Sequence, residues 1–131
     1  MDVRGLLITH LTQQLANTSY RVSGEIPWVQ SGSPLHIKNP RVVYLDQQEE
    51  FYRDMYSTLG DIDRVFVREI RVQALFTADA KNTPASTQQV LQALLDARRV
   101  PPACHRRDCE IRTENNADRK IYIAEYRFET I

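Results

Sequence analysis

The sequence is short of several features that particular functions require. Of its 131 residues only four are glycine, at widely separated positions, so no glycine-rich phosphate-binding loop can form. Basic and acidic residues each total 17, which gives a net charge of zero. A dedicated nucleic-acid coat or a polybasic membrane binder needs a surplus of positive charge, and no apolar run approaches the ~20 residues that span a bilayer. These absences argue against the corresponding functions.

Cysteine is also scarce, with only Cys104 and Cys109 in the segment Cys-His-Arg-Arg-Asp-Cys. Together with His105, and with His10 or His36 as a fourth ligand, they could hold zinc. Structural zinc sites usually have tighter ligand pairs in two clusters, and this sequence has one loose cluster. A disulfide across this short loop would need an oxidising environment. The sequence favours two free structural thiols, without a metal ion or a cofactor.

Candidate catalytic residues are few. The sequence has neither a Gly-x-Ser-x-Gly nor a His-Glu-x-x-His motif. A cysteine nucleophile would be Cys104 or Cys109 activated by His105, yet adjacent residues on an extended chain point to opposite sides. Asp61 and Asp63 could form a paired-carboxylate site, although acidic residues in a polar loop are usually solvated. We therefore expect a protein that is not an enzyme.

Length and composition predict one α+β domain over residues 1–131. The first helix is predicted over residues 2–16, because apolar residues recur there at three- and four-residue steps: Val3, Leu6, Leu7, Leu11 and Leu15. His10 lies beside that stripe as a boundary residue. The second helix begins with Thr83 as its N-cap and Pro84 at its first position, and it ends at Arg98 and Arg99 before two prolines.

The remaining segments predict strands. Short strands are expected at 21–22 and 28–29, where Trp28 would be a partly buried anchor, followed by strands over 41–45, 64–79, 110–113 and 120–131. Segment 46–63 is ambiguous between a helix and a mobile, extended hairpin connection, and we favour the hairpin with a flexible tip. In segment 64–79 either a bulge near residues 68–69 or a flat strand with two half-apolar faces would explain the pattern.

The last strand alternates large residues with polar ones, which predicts that helices cover it on one side only: Tyr122, Ala124, Tyr126 and Phe128 would face them. The resulting order is α, β, β, β, α, β, β. This order indicates a mainly antiparallel sheet packed against two helices.

Two groups of residues are candidates for a partner interface. Basic residues cluster around the end of the second helix and in the following loop: Arg98, Arg99, Arg106 and Arg107, with His105 nearby. No acidic residue lies between Arg98 and Arg107. The simpler interpretation of Arg98 is a helix C-terminus, whereas Arg106 and Arg107 suit docking to an acidic partner. Aromatic residues of the ambiguous segment form the second group, since such residues are enriched at interfaces: Phe51, Tyr52 and Tyr56, with Met55.

The order of elements resembles the tail-terminator proteins of long-tailed bacteriophages, the minor tail protein U-like family. The resemblance is carried by residues 41–45, by the strand, turn and helix start over 71–84, and by the ending over 121–129. Length and element order match over nearly the whole chain. The family has no diagnostic motif and no catalytic positions that could be transferred.

The resemblance implies a structural virion protein that forms a ring, usually a hexamer, on the head-proximal end of a finished tail tube. Such a ring stops tube polymerisation and offers a surface to the neck or head-completion protein, while DNA passes through its lumen. The implied location is the virion tail, after assembly in the host cytoplasm. The alternatives are a head-completion or neck connector protein and a small ligand- or metal-binding α+β domain that uses the loop between Cys104 and Cys109. The N-terminal segment does not have the pattern of a signal peptide, and no membrane partner is expected.

Overall fold

The computed structural model describes residues 2–24, 41–46, 48–56, 64–78, 84–116 and 119–130. Within these ranges the chain forms two helices and an open six-stranded sheet. The elements in chain order are α1 (Val3–Gln14), β1 (Arg21–Ser23), β2 (Val42–Leu45), β3 (Glu49–Tyr56), β4 (Arg64–Ala78), α2 (Pro84–Ala97), β5 (Arg106–Asn116) and β6 (Arg119–Thr130). The predicted α+β fold is confirmed, although four strands rather than three separate the helices.

The sheet is mostly antiparallel, with the strand order β1-β2-β4-β6-β5. The short strand β1 runs parallel to β2, and β3 pairs with β4 outside the main path. The predicted strand at 21–22 is confirmed and is one residue longer than expected. The strand predicted at 28–29, with Trp28, lies outside the described residues.

Segment 46–63 contains a strand over the part that is described. The register of β3 with β4 runs without interruption from Glu49 opposite Arg71 to Tyr56 opposite Arg64. The predicted extended hairpin is therefore confirmed, and its tip at 57–63 lies outside the described residues. The apolar four-residue spacing that also suited a helix is overridden by pairing with the long strand next to it.

Strand β4 has no bulge at residues 68–69. Its register with β6 advances one residue at a time from Arg68 opposite Thr130 to Ala78 opposite Lys120. The bulge interpretation is thus wrong, and the flat strand with apolar residues on both faces is confirmed. Val67 is buried on one face of β4, and Ile70 is buried on the other.

The helices have the predicted stripes with one exception. Val3, Leu7 and Leu11 of α1 are fully buried, but Leu6 is 37% exposed and lies outside the buried stripe. The carboxylate of Asp2 accepts a hydrogen bond of 3.0 Å from the N–H of Gly5, which caps the start of α1. No helix in the described ranges is both long and apolar enough to cross a membrane.

The second helix begins at Pro84, as predicted, and its Thr83 N-cap lies outside the described residues. Its α-helical part ends at Ala97, and the backbone N–H groups of Arg98 and Arg99 still bond to carbonyls of the last turn, at 3.3 and 3.1 Å. The buried Pro101 follows soon afterwards. The predicted stop is confirmed, because proline has no N–H with which to continue the helix.

The main core lies between the helices and one face of the sheet. Buried residues of α1 and α2 pack there against the inward side chains of β4 and β6, among them Ile70, Phe76 and Phe128. The phenol of Tyr126 donates a hydrogen bond of 2.5 Å to the carbonyl of Leu94, which ties β6 to α2.

The opposite face of the sheet is also partly buried. Ile121 and Ile123 of β6 are 1% exposed and pack with Leu75 and Tyr44 in a second, smaller cluster. The predicted helix-covered side of β6 is confirmed, but the burial of Ile121 and Ile123 on its other side was not expected. Successive side chains of a strand alternate between its two faces, so Ile121 and Ile123 lie on this second face. The large aromatic residues of the same strand direct the prediction to the first face alone.

Candidate functional site: the charged face of the sheet

Beside the smaller apolar cluster, the sheet face turned away from the helices is covered by charged residues. Successive strand residues point to opposite faces, so a charge at every second position collects on one side. The residues on this side come from three neighbouring strands: Glu69, Arg71 and Gln73 of β4, Glu125, Arg127 and Glu129 of β6, and Arg106, Asp108, Glu110 and Arg112 of β5. We call these residues, together with Asp46 and Glu49, the charged face.

The strand register aligns most of these side chains in rows across the sheet. Directly opposite residues on neighbouring antiparallel strands share a face and lie close enough to interact. The rows are Glu69–Glu129–Arg106, Arg71–Arg127–Asp108 and Gln73–Glu125–Glu110. In every row the residues of β4 and β6 that face each other have the same charge, or one of them is neutral. Contacts between opposite charges are therefore made diagonally or with the residue of β5.

Glu69 and Glu129 are the most buried members of the charged face. They lie directly opposite each other, although they are only 6% and 7% exposed. Glu69 is compensated diagonally, by the guanidinium of Arg127 at 2.6 Å and by that of Arg71 at 3.3 Å. Buried carboxylates are tolerated only when they are paired and hydrogen-bonded, and these contacts supply the pairing.

Glu129 is compensated from the neighbouring strand. Arg106 donates to one carboxylate oxygen at 3.3 Å, and the Nε2 atom of His105 lies 3.2 Å from the other. Arg106 also contacts Asp108 at 2.6 Å, and the two carboxylates, Asp108 first, raise the pKa of its guanidinium. The positive charge of Arg106 is therefore balanced by two carboxylates of its own chain, those of Asp108 and Glu129.

A trough of about 450 Å³ runs over the charged face. Five acidic side chains line it against three arginines: Asp46, Glu49, Asp108, Glu110 and Glu125 against Arg71, Arg106 and Arg127. The trough is therefore acidic on balance, although the whole chain carries no net charge. Such a surface attracts cationic side chains and repels phosphate groups.

The predicted basic loop does not present four equivalent arginines. Arg107 donates hydrogen bonds to the backbone carbonyls of Pro101 and Arg98, the latter at 3.3 Å. These bonds close the loop in which Ala103 has a left-handed backbone, with a φ of 57°. The structure thus gives Arg106 and Arg107 contacts within the chain, and docking by either of them stays a prediction.

Arg98 and Arg99 differ from the other two arginines. Among the described residues neither side chain has an ion-pair partner, and Arg99 is exposed. Both follow the last turn of α2 on the side of the sheet that carries the helices. Within the predicted basic group they are the two members whose side chains have neither an ion pair nor a hydrogen bond among the described residues.

The aromatic residues Phe51 and Tyr52 of β3 are the most exposed large hydrophobic side chains among the described residues. Phe51 is 41% exposed and Tyr52 is 67% exposed, on opposite faces of β3. The guanidinium of Arg71 lies 4.7 Å from the centre of the Phe51 ring, which joins Phe51 to the charged face through a cation–π contact. Tyr56 is placed at the end of β3, opposite Arg64, and its side chain lies outside the described part.

The thiols are poorly suited to nucleophilic chemistry. Burial raises the pKa of Cys109 to about 11, and it also raises the pKa of Cys104. Since the thiolate is the reactive form, little of it exists near neutral pH. The Nε2 atom of His105 lies 3.2 Å from the carboxylate of Glu129, so this nitrogen is directed to an acidic side chain and not to a thiol.

Metal ligands also fail to converge in the described part of the chain. No group of three or more histidine, cysteine or acidic side chains there has the geometry to hold a metal ion. The zinc ligands that the sequence offers as an alternative, Cys104, Cys109 and His105 with His10, therefore do not come together in the described part of the chain. His36, the other candidate ligand, lies outside the described residues.

The charged face is not among the sites that the sequence predicts, although the sequence contains its signal. In residues 69–73, 106–112 and 125–129 a charged or amide side chain occupies every second position. Taken singly, each segment is an ordinary half-exposed strand. Only the pairing of β4, β6 and β5 combines the three patterns into one surface.

Comparisons with the models of known protein families and with curated proteins find no match to this chain.

Proposed function

We propose that this protein is a structural virion protein that caps the head-proximal end of a phage tail tube as a ring. The ring ends tube polymerisation and provides the surface to which the neck or head attaches. The proposal joins the resemblance to tail terminators with the α+β fold, which has the helix, sheet and helix order that the resemblance implies.

The observation that carries the proposal is the charged face. Its buried carboxylates are held by arginines of neighbouring strands, and its trough is lined by mixed charges rather than by an apolar pocket with a few reactive groups. Small-molecule sites are mostly apolar, whereas patterned charges across a flat surface select and orient a protein partner. Capping a tube requires complementary surfaces of this kind and no nucleophile.

The partners of the proposed ring are other copies of this chain, usually six in all, the tail tube protein and a neck or head-completion protein. DNA passes through the lumen in non-specific proximity. A DNA-conducting lumen often carries an acidic bias, and the zero net charge of the whole chain does not by itself show one. The ring is assembled in the host cytoplasm and remains in the virion tail.

The test is the tail-length distribution, measured by electron microscopy, in a phage lysate that lacks this chain. Over-long tubes without heads are expected, and supplying the wild-type chain in trans should restore the normal length. Tails of normal length detached from full heads would contradict termination and favour a neck connector. A normal lysate would contradict both virion functions.

A small ligand- or metal-binding domain that uses the cysteine loop is the alternative outside virion assembly. The trough does not include Cys104 or Cys109 among its lining residues, so the charged face gives this alternative no support. Stoichiometric zinc in the purified protein, measured by elemental analysis, would favour it.

A further inference from the structure

We propose that copies of this chain contact one another head to tail, the basic end of α2 in one copy docking into the acidic trough of the next. This inference rests on the proposed ring and assigns the surfaces that form it. The basic end consists of Arg98 and Arg99, and the trough is the one over the charged face. The pairing of charges, their positions on the sheet and the net charge of the chain all support this contact.

The trough has unpaired negative charge. Its arginines are already engaged, since Arg71 and Arg127 contact Glu69, and Arg106 contacts Asp108. Glu49 and Glu110, in contrast, are exposed and have no ion-pair partner among the described residues. A cationic side chain entering the trough therefore meets carboxylates that are free to pair.

The basic end of α2 has the complementary property. Arg98 and Arg99 carry unpaired positive charge within the described part of the chain, and their backbone is held in place because Arg107 binds the carbonyls of Arg98 and Pro101. Residues on an anchored backbone lose less conformational entropy on docking than residues of a flexible tail. Arginine also forms two parallel hydrogen bonds with a carboxylate, which gives the contact a defined orientation.

A second copy is the occupant that these positions favour. The basic end lies on the side of the sheet that carries the helices, and the trough lies on the opposite side, so the sheet separates them within one chain. A contact between two different surfaces is heterologous, and repetition of it closes into a ring when the rotation permits. Zero net charge removes the general repulsion that would oppose the association of copies.

The experiment uses two charge reversals in the full-length chain, Arg99→Glu and Glu110→Lys. Self-association of the purified protein is measured by sedimentation velocity at high protein concentration, at low and high salt. Wild-type chains should associate more strongly at low salt. Each single variant places like charges at the contact and should associate at least roughly tenfold more weakly than the wild type.

An equimolar mixture of the two variants gives the decisive measurement. In the mixture the acidic side chain introduced by Arg99→Glu meets the basic side chain introduced by Glu110→Lys, while the second contact between the two variants keeps its original charges. Association should therefore return in the mixture although each variant alone associates only weakly. The double variant should also associate, because its reversed charges are complementary.

Matched controls keep the change of charge and move it away from the contact. Glu114→Lys lies on the same face of β5 beyond the trough, and Arg21→Glu lies on the exposed edge of β1. Both should associate like the wild type. Circular dichroism and thermal melting of every variant verify that these exposed substitutions leave the fold intact.

Two results would overturn the inference. One is a wild-type chain that stays monomeric at both salt concentrations, and the other is a mixture that fails to associate more than its components. Neither result decides the proposed function, which the tail-length distribution tests separately. Over-long tubes in the absence of the chain, together with charge reversals that have no effect, would keep the terminator and reject this interface.

Discussion

The two faces of the sheet are built from the same strands but are covered by opposite chemistry. One face packs against α1 and α2 through apolar side chains such as Val72 and Phe128, which are almost completely buried. The other has a small apolar cluster at one end and rows of charges beside it. Strand β6 contributes Phe128 to the first face and Glu129 to the second.

This difference separates stability from recognition. The apolar face gains free energy with every buried methylene group, and any partner would have to displace the helices in order to reach it. The charged face gains little net free energy from its exposed ion pairs, but the arrangement of its charges selects and orients partners. We therefore expect substitutions on the first face to change folding and substitutions on the second to change association.

The largest expected effect lies on the apolar face. Leu94 is fully buried on α2, so Leu94→Ala should lower the free energy of unfolding by about 2–5 kcal/mol through lost transfer energy and a cavity. Urea denaturation measures the change. Leu6→Ala is the control, since Leu6 is 37% exposed and its truncation should cost below about 1 kcal/mol. Equal losses in both variants would contradict the division between buried and exposed leucines.

An intermediate effect is expected at the ion pairs of the charged face. Arg127→Ala removes the closer partner of the buried Glu69 and should cost about 1–3 kcal/mol, because a buried acceptor loses its donor. Thermal or urea unfolding gives the value. Arg112→Ala is the matched control, because among the described residues Arg112 pairs only with the more exposed Glu114 and Glu125. This substitution should lower the free energy of unfolding by about 0–1 kcal/mol.

A comparable loss in the two arginine variants would show that burial does not distinguish their pairs. The comparison becomes sharper with Glu69→Gln in the Arg127→Ala background. Removing the uncompensated charge should recover part of the lost stability. The same substitution alone should not stabilise the protein.

The smallest expected effect concerns pH and Cys109, whose side chain packs at the margin of the apolar core. Burial raises its pKa from 9.0 to about 11, so the folded state disfavours the thiolate. The resulting contribution to stability is fully present below pH 9 and is lost as the pH rises through about 11. Urea unfolding of the wild type and of Cys109→Ala, from neutral to alkaline pH, measures it.

The variant should lose less stability than the wild type over that range. Tyr126, whose pKa burial also raises, remains in both proteins and gives them a shared alkaline loss. Identical pH profiles would contradict the attribution to Cys109. Alkylation of the native protein offers a second readout, in which the thiols should react slowly near neutral pH.

Much of the fold could be predicted from local patterns. Proline is favoured at the first position of a helix and cannot continue one, so Pro84 and Pro101 predict where the second helix begins and ends. The structure confirms both limits. Strand β4 is recognisable by its length and its β-branched residues. Because apolar residues occur on both of its faces, the sequence alone does not decide between a bulge and a flat strand. Pairing with β6 removes that alternative, because an uninterrupted ladder has no place for an extra residue.

The candidate site was less predictable. In the sequence Arg106 and Arg107 suggest a charged docking loop, because no acidic residue separates them from the helix end. In the structure Glu129 reaches Arg106 from a neighbouring strand, and backbone carbonyls bind Arg107. These partners are distant in sequence or belong to the backbone, so composition and spacing give no sign of them. In the described part of the chain, Arg98 and Arg99 are the members of the predicted basic group whose side chains have neither an ion-pair partner nor a hydrogen bond.

The sequence by itself determined the α+β class, the buried stripes of the helices and the alternation of side chains along each strand. These properties are local, since capping, proline chemistry and the two periodicities act within a few residues. Tertiary structure alone decided which charges meet. Glu69, Arg127 and Asp108 belong to three strands, and only strand order and register place them beside one another. Electrostatic interactions depend on distance in space, which the distance along the chain does not specify.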